Sequence, residues 1–248
     1  MLTLDSIYKA STILNGVIRK TQLIPTQKIN PEANVFLKPE NLQVTGSFKV
    51  RGAGYKISQL SDEEKAHGVI ACSAGNHAQG VALAAKRYGI PALICMPSGA
   101  PISKVEATRE MGAEVCLVPG VYDDAYARAM QLNEEKNMTF IHPFDDEDVI
   151  AGQGTVGMEI LNENPDVDVI FVPIGGGGLA SGVAYAVKAL KPSVRVVGVQ
   201  AQGAPSMLNS VDHNQIETLA SVLTIADGIA VKEPGQHTFE LCQQYVDD

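Results

Sequence analysis

Four consecutive glycines, Gly175–Gly178, stand between a strand-like apolar run, Val167–Ile174, and a helix-like stretch, Leu179–Leu190. A strand ending in residues without Cβ, just before a helix start, presents several backbone N–H groups where the helix dipole is positive. Such a nest holds an anion, most often a phosphate. A bare turn needs only one residue of positive φ, and four glycines carry an ordering cost that a turn alone does not require. The dinucleotide version fails in detail. Gly175, Gly177 and Ala180 fit G-x-G-x-x-A, but the next strand, Val194–Gln200, ends in Gln200 rather than in an acid for a ribose. A P-loop is excluded because no Gly-Lys-Ser/Thr follows the glycines.

The same strand–loop–helix rhythm runs through most of the chain. Leu4–Val17 has helical spacing, and Val35–Lys38 reads as a short strand before the polar loop Pro39–Gly46. Ser47 is placed to cap a helix reaching about Gln59. Strands follow at Gly68–Cys72, Ala92–Met96, Val115–Val118 and Thr139–His142, with helices at His77–Tyr88, Ser103–Met111, Asp123–Glu135 and Val149–Asn162 between and after them. Strands with little polar alternation, separated by helices, predict an α/β protein with parallel sheets covered on both faces, in αβα layers. Turn and acidic residues near Gly68 and at Pro143–Asp148 suggest boundaries. They divide the chain into a large domain, residues 1–66 and 146–248, and a small inserted βαβ domain, residues 67–145. Phe239–Val246 starts a further element that Asp247 and Asp248 leave unclosed, which predicts an exposed sheet edge and self-association as a homo-oligomer, a dimer or tetramer.

Composition narrows the partners. A net charge of −9 over 248 residues argues against nucleic acid and anionic membrane, both of which need a basic face. Val169–Val187 is 19 residues without a charge, but Pro173 and the glycines break it as a membrane span. Cys72, Cys95, Cys116 and Cys242 lack metal-ligand spacing and read as reduced thiols of a cytoplasmic protein.

Two further segments carry chemistry. In Gly46-Ser47-Phe48-Lys49-Val50-Arg51-Gly52 a lysine occupies the first helical turn, where the dipole opposes a cation. That position and its apolar neighbours lower the pKa of Lys49 and suit it to Schiff-base chemistry, whereas the bland alternative is a solvated, snorkelling lysine. Ser73-Ala74-Gly75-Asn76-His77 follows a strand end, where parallel sheets place ligands. Ser73, Asn76 and the amides there suit a carboxylate or a phenolic oxygen; simple capping by Ser73 or Asn76 is the alternative, and His77 reads equally well as a surface residue. Phosphate nest, activated lysine and polar loop together fit pyridoxal 5′-phosphate.

These segments also resemble a known family. Lys38-Pro39-Glu40-Asn41, Thr45–Ala53, Ala71–Gly80, Ala151-Gly152-Gln153-Gly154-Thr155, Pro173–Leu179 and Ala226–Val231 are similar, in order and spacing, to the fold-type II pyridoxal-phosphate enzymes. Among these they look most like the threonine dehydratases (threonine ammonia-lyases), with serine racemase and serine dehydratase nearby. The resemblance implies the tryptophan synthase β-subunit-like fold, with the large domain incomplete at its C-terminal side and roughly 70–80 further residues in other members. It implies that Lys49 forms the imine with the cofactor and moves the substrate's Cα proton. Phe48 and Asn76 then adjoin the cofactor, Asn76 at its phenolic oxygen, and Gly175, Gly176, Gly177, Gly178 and Leu179 hold its phosphate. Ser47, Ser73, Ala74, Gly75 and His77 lie around the substrate carboxylate. The implied reaction converts L-threonine to 2-oxobutanoate and ammonia, and L-serine to pyruvate, in amino-acid metabolism that includes isoleucine biosynthesis. Alternatives are racemisation, β-replacement and an inactive form. Ala74 stands where the racemases carry a serine, and Ala74 cannot carry a proton. Gln200 and Ser206 stand where racemase metal ligands are expected, so no metal is implied.

Overall fold

The computed structural model describes residues 1–248. Its first part is irregular: α1 (Leu4–Leu14) leads to an antiparallel pair of two-residue strands, β1 (Ile24–Pro25) and β2 (Phe36–Leu37). Then come α2 (Lys49–Gln59) and the short α3 (Asp62–His67). The regular alternation follows: β3 (Val69–Cys72), α4 (Asn76–Tyr88), β4 (Ala92–Pro97), α5 (Ile102–Glu110), β5 (Glu114–Val118), α6 (Tyr122–Lys136) and β6 (Thr139–Phe140). These four strands form one parallel sheet in the order β5-β4-β3-β6. Period-two burial divides its side chains. Val69, Ala71, Ile94 and Met96 pack against α2, α4 and α5, while Ile70, Cys72, Leu93 and Cys95 pack against α6. The sheet is therefore covered on both faces, as the apolar runs predict.

The remainder is built on α7 (Glu147–Glu163), β7 (Val169–Pro173), α8 (Gly178–Leu190), β8 (Arg195–Val199), α9 (Ser206–Asp212) and α10 (Gln236–Tyr245). β7 and β8 pair in parallel over five residues. Within residues 1–248 the helices cover one face of this sheet. Ile170 and Val172 are buried against α8 and α10, but Val169, Phe171 and Pro173 alternate with them and are exposed. After α10 the last residues run beside β8, with Asp247 N–H donating to Val196 O at 2.8 Å and Gly198 N–H to Asp248 O at 2.7 Å.

α7 joins the two sheets' surroundings, and it does so at backbone contact. A Cβ on Gly152 would lie 2.6 Å from the Arg51 carbonyl, so only glycine lets α7 cross α2 at this distance. The crossing is locked by charge. Arg51, fully buried on α2, donates from Nε and Nη2 to Glu40, each at 2.8 Å. Its Nη1 and Nη2 donate to Glu159 of α7 at 2.7 and 2.9 Å. Lys38 adds a second cation, 2.7 Å from Glu159 and 3.3 Å from Glu163. Two bidentate carboxylates around one guanidinium satisfy the fork that burial would otherwise leave desolvated. The start of α2 is thereby fixed in place.

Candidate active site

Lys49 is the first residue of α2, after Phe48. Ser47 does not cap this helix as expected. Phe48 takes the N-cap position, and the Ser47 hydroxyl, one residue too early, accepts from Lys49 N–H at a long 3.4 Å. No side chain therefore competes for the dipole at this end. The lysine turns inward, and its Nζ donates to the Pro143 carbonyl at 2.6 Å while sitting 5.4 Å from the Phe48 ring centroid. Burial without a carboxylate partner pushes its pKa down to about 8. A solvated, snorkelling lysine is not what this position holds.

Pro143 belongs to a turn that also meets the glycines. The next residue, Phe144, lies so close to the loop that a Cβ on Gly176 would fall 2.5 Å from its ring, and a Cβ on Gly178 2.9 Å from its own Cβ. Gly177 has φ +99°, a left-handed conformation, and a Cβ there would lie 2.7 Å from Thr238 Cβ. The loop is glycine because both its conformation and its surroundings exclude side chains. α8 begins directly afterwards with no side-chain cap, so the amides of its first turn face the same place. Ile229, within the Ala226–Val231 segment, passes over Gly175, its Cα 3.0 Å from where a Cβ would stand.

The third segment lies at the end of β3. Neither Ser73 nor Asn76 caps α4: its N-cap is Gly75, without a side-chain bond, and Ser73 Oγ instead accepts from Gly75 N–H at 3.2 Å. Asn76 is exposed at the first helical position, and Ala74 is partly buried. His77 is no surface residue. It is buried, its Nε2 lies 2.8 Å from the Ile141 carbonyl, and burial, with Lys49 nearby, lowers its pKa to about 3. A neutral ring donating to that carbonyl has no ring donor left for a substrate, so His77 offers only its backbone amide. Lys104 of α5 stands over Gly75 and pairs with Asp227 at 3.0 Å, which joins α5 to the segment above the glycines.

Sequence reasoning missed the turn Pro143-Phe144-Asp145, which links the lysine to the glycine loop. Its residues appeared only as a boundary rich in acids. Gln200 and Ser206, which stand where racemase metal ligands are expected, make backbone bonds. Gln200 donates to Ile174 O at 3.3 Å and accepts from Leu208 N–H at 2.8 Å, and Ser206 donates to Val231 O at 2.9 Å.

The residues fit pyridoxal phosphate on structural grounds alone. A partly deprotonated amine, a loop of amides that no side chain satisfies and an uncapped helix start are gathered through one turn. Comparisons with known proteins agree. The chain is 50% identical to an L-threonine ammonia-lyase of Thermotoga maritima over its whole length, and it spans 62% of that relative. A solved structure of threonine deaminase isoform 2 from Solanum lycopersicum superposes with a TM-score of 0.93 at 40% identity, covering 98% of this chain and 69% of that one. Maize serine racemase gives 0.96 at 38%, covering 100% and 75%. The family model described as pyridoxal-phosphate dependent enzyme matches residues 14–248. Lysine, glycine loop and family match converge, and the chain belongs to the pyridoxal-phosphate dependent enzymes.

Proposed function

We propose that this chain carries the cofactor site of a threonine ammonia-lyase, converting L-threonine to 2-oxobutanoate and ammonia and accepting L-serine as a second substrate. The observation that carries the reading is the Lys49 amine, held on the Pro143 carbonyl beside the Phe144 ring that seats the glycine loop. Bound pyridoxal phosphate supplies an electron sink for the substrate's Cα. Lys49 is the residue that would hold the cofactor through its aldehyde, and once the substrate amine had taken its place the freed amine, of pKa about 8, would accept the Cα proton near neutrality. The amides of Gly175–Leu179 hold the phosphate at the positive end of α8. Asn76 donates to the phenolic oxygen. The amides of Ala74–His77, with Ser73 and Ser47, orient the substrate carboxylate at the uncapped start of α4. Loss of the Cα proton and departure of the β-hydroxyl as water leave an enamine. Its hydrolysis returns the water and releases ammonia.

The same reading takes residues 67–145 as a small domain inserted between 1–66 and 146–248, supported by the confinement of the four-stranded sheet to that interval. It takes the protein as cytoplasmic, supported by four free cysteines, and as a homo-oligomer, supported by exposed Phe171 and Val199 on the β7–β8 sheet. The isoleucine role belongs to this reading. No helix is long and apolar enough to cross a membrane.

The test is 2-oxobutanoate release from L-threonine with added pyridoxal phosphate, compared with Lys49→Ala. No product from the unaltered chain, or equal product from the variant, defeats the proposal. The likeness to maize serine racemase favours a second reading, which Ala74 opposes. D-serine formed from L-serine would establish that second reading in its place.

A further inference from the structure

Asp145 belongs to neither the lysine nor the glycine loop, yet it is bonded to what positions both. It lies two residues beyond the carbonyl that receives Lys49. His142 Nδ1 accepts from Phe144 N–H at 3.3 Å and Asp145 N–H at 2.7 Å, which fixes this turn. The Asp145 carboxylate then crosses to α10. Its Oδ2 accepts from Gln236 N–H at 3.1 Å and its Oδ1 from Thr238 N–H at 3.0 Å. α10 has glycine, Gly235, at its N-cap, so the carboxylate of a distant turn does what a capping side chain normally does. A Cβ on Gly235 would overlap that carboxylate, so position 235 is glycine to admit it.

The first turn of α10 is in turn the floor of the glycine loop. Thr238 is fully buried, and its hydroxyl donates to the Gly176 carbonyl at 2.6 Å. Ser181 of α8 donates to Thr238 O at 3.2 Å. A chain of bonds thus runs from the turn that holds Lys49, through Asp145 and Thr238, to the carbonyl of Gly176. We infer that Asp145 is a positioning residue: it sets the glycine loop relative to the Lys49 amine by capping α10 from the lysine's own turn. Its carboxylate bonds to the amides of α10 and not to Lys49 or the glycines. The inference rests on the reading of Gly175–Leu179 as the phosphate cradle.

A pair of aldehydes separates this role from general stability. Pyridoxal 5′-phosphate uses both Lys49 and the cradle, whereas pyridoxal, which lacks the phosphate, uses Lys49 alone. Dissociation constants for both are measured by absorbance on the unaltered protein, Asp145→Ala, Asp145→Asn and Thr238→Val. The expected result is a rise of about tenfold or more for pyridoxal 5′-phosphate in Asp145→Ala and Thr238→Val, with pyridoxal unchanged within about twofold. Asp145→Asn, which keeps an acceptor for Thr238 N–H, restores part of the loss. Should Asp145→Ala not fold, Asp145→Asn and Thr238→Val decide by the same ratio. Equal losses for the two aldehydes, or no loss for either, overturn the inference. If the unaltered protein binds both aldehydes equally, the cradle itself is misread, and the inference falls with it.

Discussion

At the scale of single residues, Lys49 shows how far a sequence can point to chemistry. A cation in the first turn of a helix opposes the dipole, and that conflict is visible in the order of residues alone. What the order does not show is the partner that makes the conflict tolerable, a carbonyl 94 positions away. Burial lowers the amine to about 8, so its neutral fraction grows as pH rises through that value. The rate at which the cofactor-free protein captures pyridoxal phosphate is expected to rise about tenfold per pH unit below 8 and to level off above it. Stopped-flow absorbance from pH 6 to 9.5 measures this, and a rise that continues without levelling up to pH 9.5 would mean that the amine keeps its ordinary value and is not desolvated. Asp145 is the opposite case. Within Asp145-Asp146-Glu147-Asp148 it is one acid among four, and nothing local distinguishes the one that reaches α10 from Asp146, which caps α7 at its own start.

Elements were legible where periodicity and punctuation agreed. α4 closes on Gly89 at φ +67° and α5 is followed by Gly112 at φ +97°, the left-handed backbone that ends a helix at glycine. α3 escaped because Asp62–His67 has no apolar face; its signal was the capping box of Ser61 and Glu64, both halves of which are formed. Ser47 misled for a simple reason: a good capping residue one position early cannot reach the N2 or N3 amide. The glycine loop reads as a nest, but its need for glycine comes from Phe144 and Thr238, which lie far off in sequence. Gly177→Ala meets both the left-handed backbone and a 2.7 Å clash with Thr238 Cβ. The expected cost is about 2–4 kcal/mol of stability, with weakened binding of pyridoxal phosphate. Urea unfolding and cofactor titration measure the two effects. A variant as stable and as tightly binding as the parent would contradict the strained geometry.

On the scale of the whole molecule, two buried electrostatic features set how the fold responds to change. Arg51 ties α2 to α7 through Glu40 and Glu159, and Lys38 adds to the same cluster. Arg51→Ala leaves two carboxylates facing a desolvated gap, and the expected loss is about 3–5 kcal/mol by urea unfolding. Loss under about 1 kcal/mol would show that water relieves the site. His77 governs acid sensitivity. Its folded pKa of about 3 lies below its ordinary 6.5, so between these values the unfolded chain binds a proton that the native protein refuses. Stability is full above about pH 6.5 and falls by up to about 1.4 kcal/mol per unit on acidification towards 3. Glu159, whose carboxyl Arg51 and Lys38 hold below the usual range, loses its contribution in the same direction under more acidic conditions. Melting temperatures from pH 7.5 to 4.5 report the slope, and His77→Gln, which keeps a donor for Ile141 O, is expected to flatten it. Neither feature could be read from the sequence, since Arg51 and His77 are types usually found at the surface.

The glycine loop has an evolutionary corollary. An anchor made wholly of main-chain amides carries no side chain that a point mutation could retune without first breaking the path of the backbone. On the proposed reading of Gly175–Leu179 as the phosphate cradle, a change of reaction type or substrate preference falls to side chains elsewhere in the site, such as those at Ala74 and its neighbours, and leaves the anchor as it is.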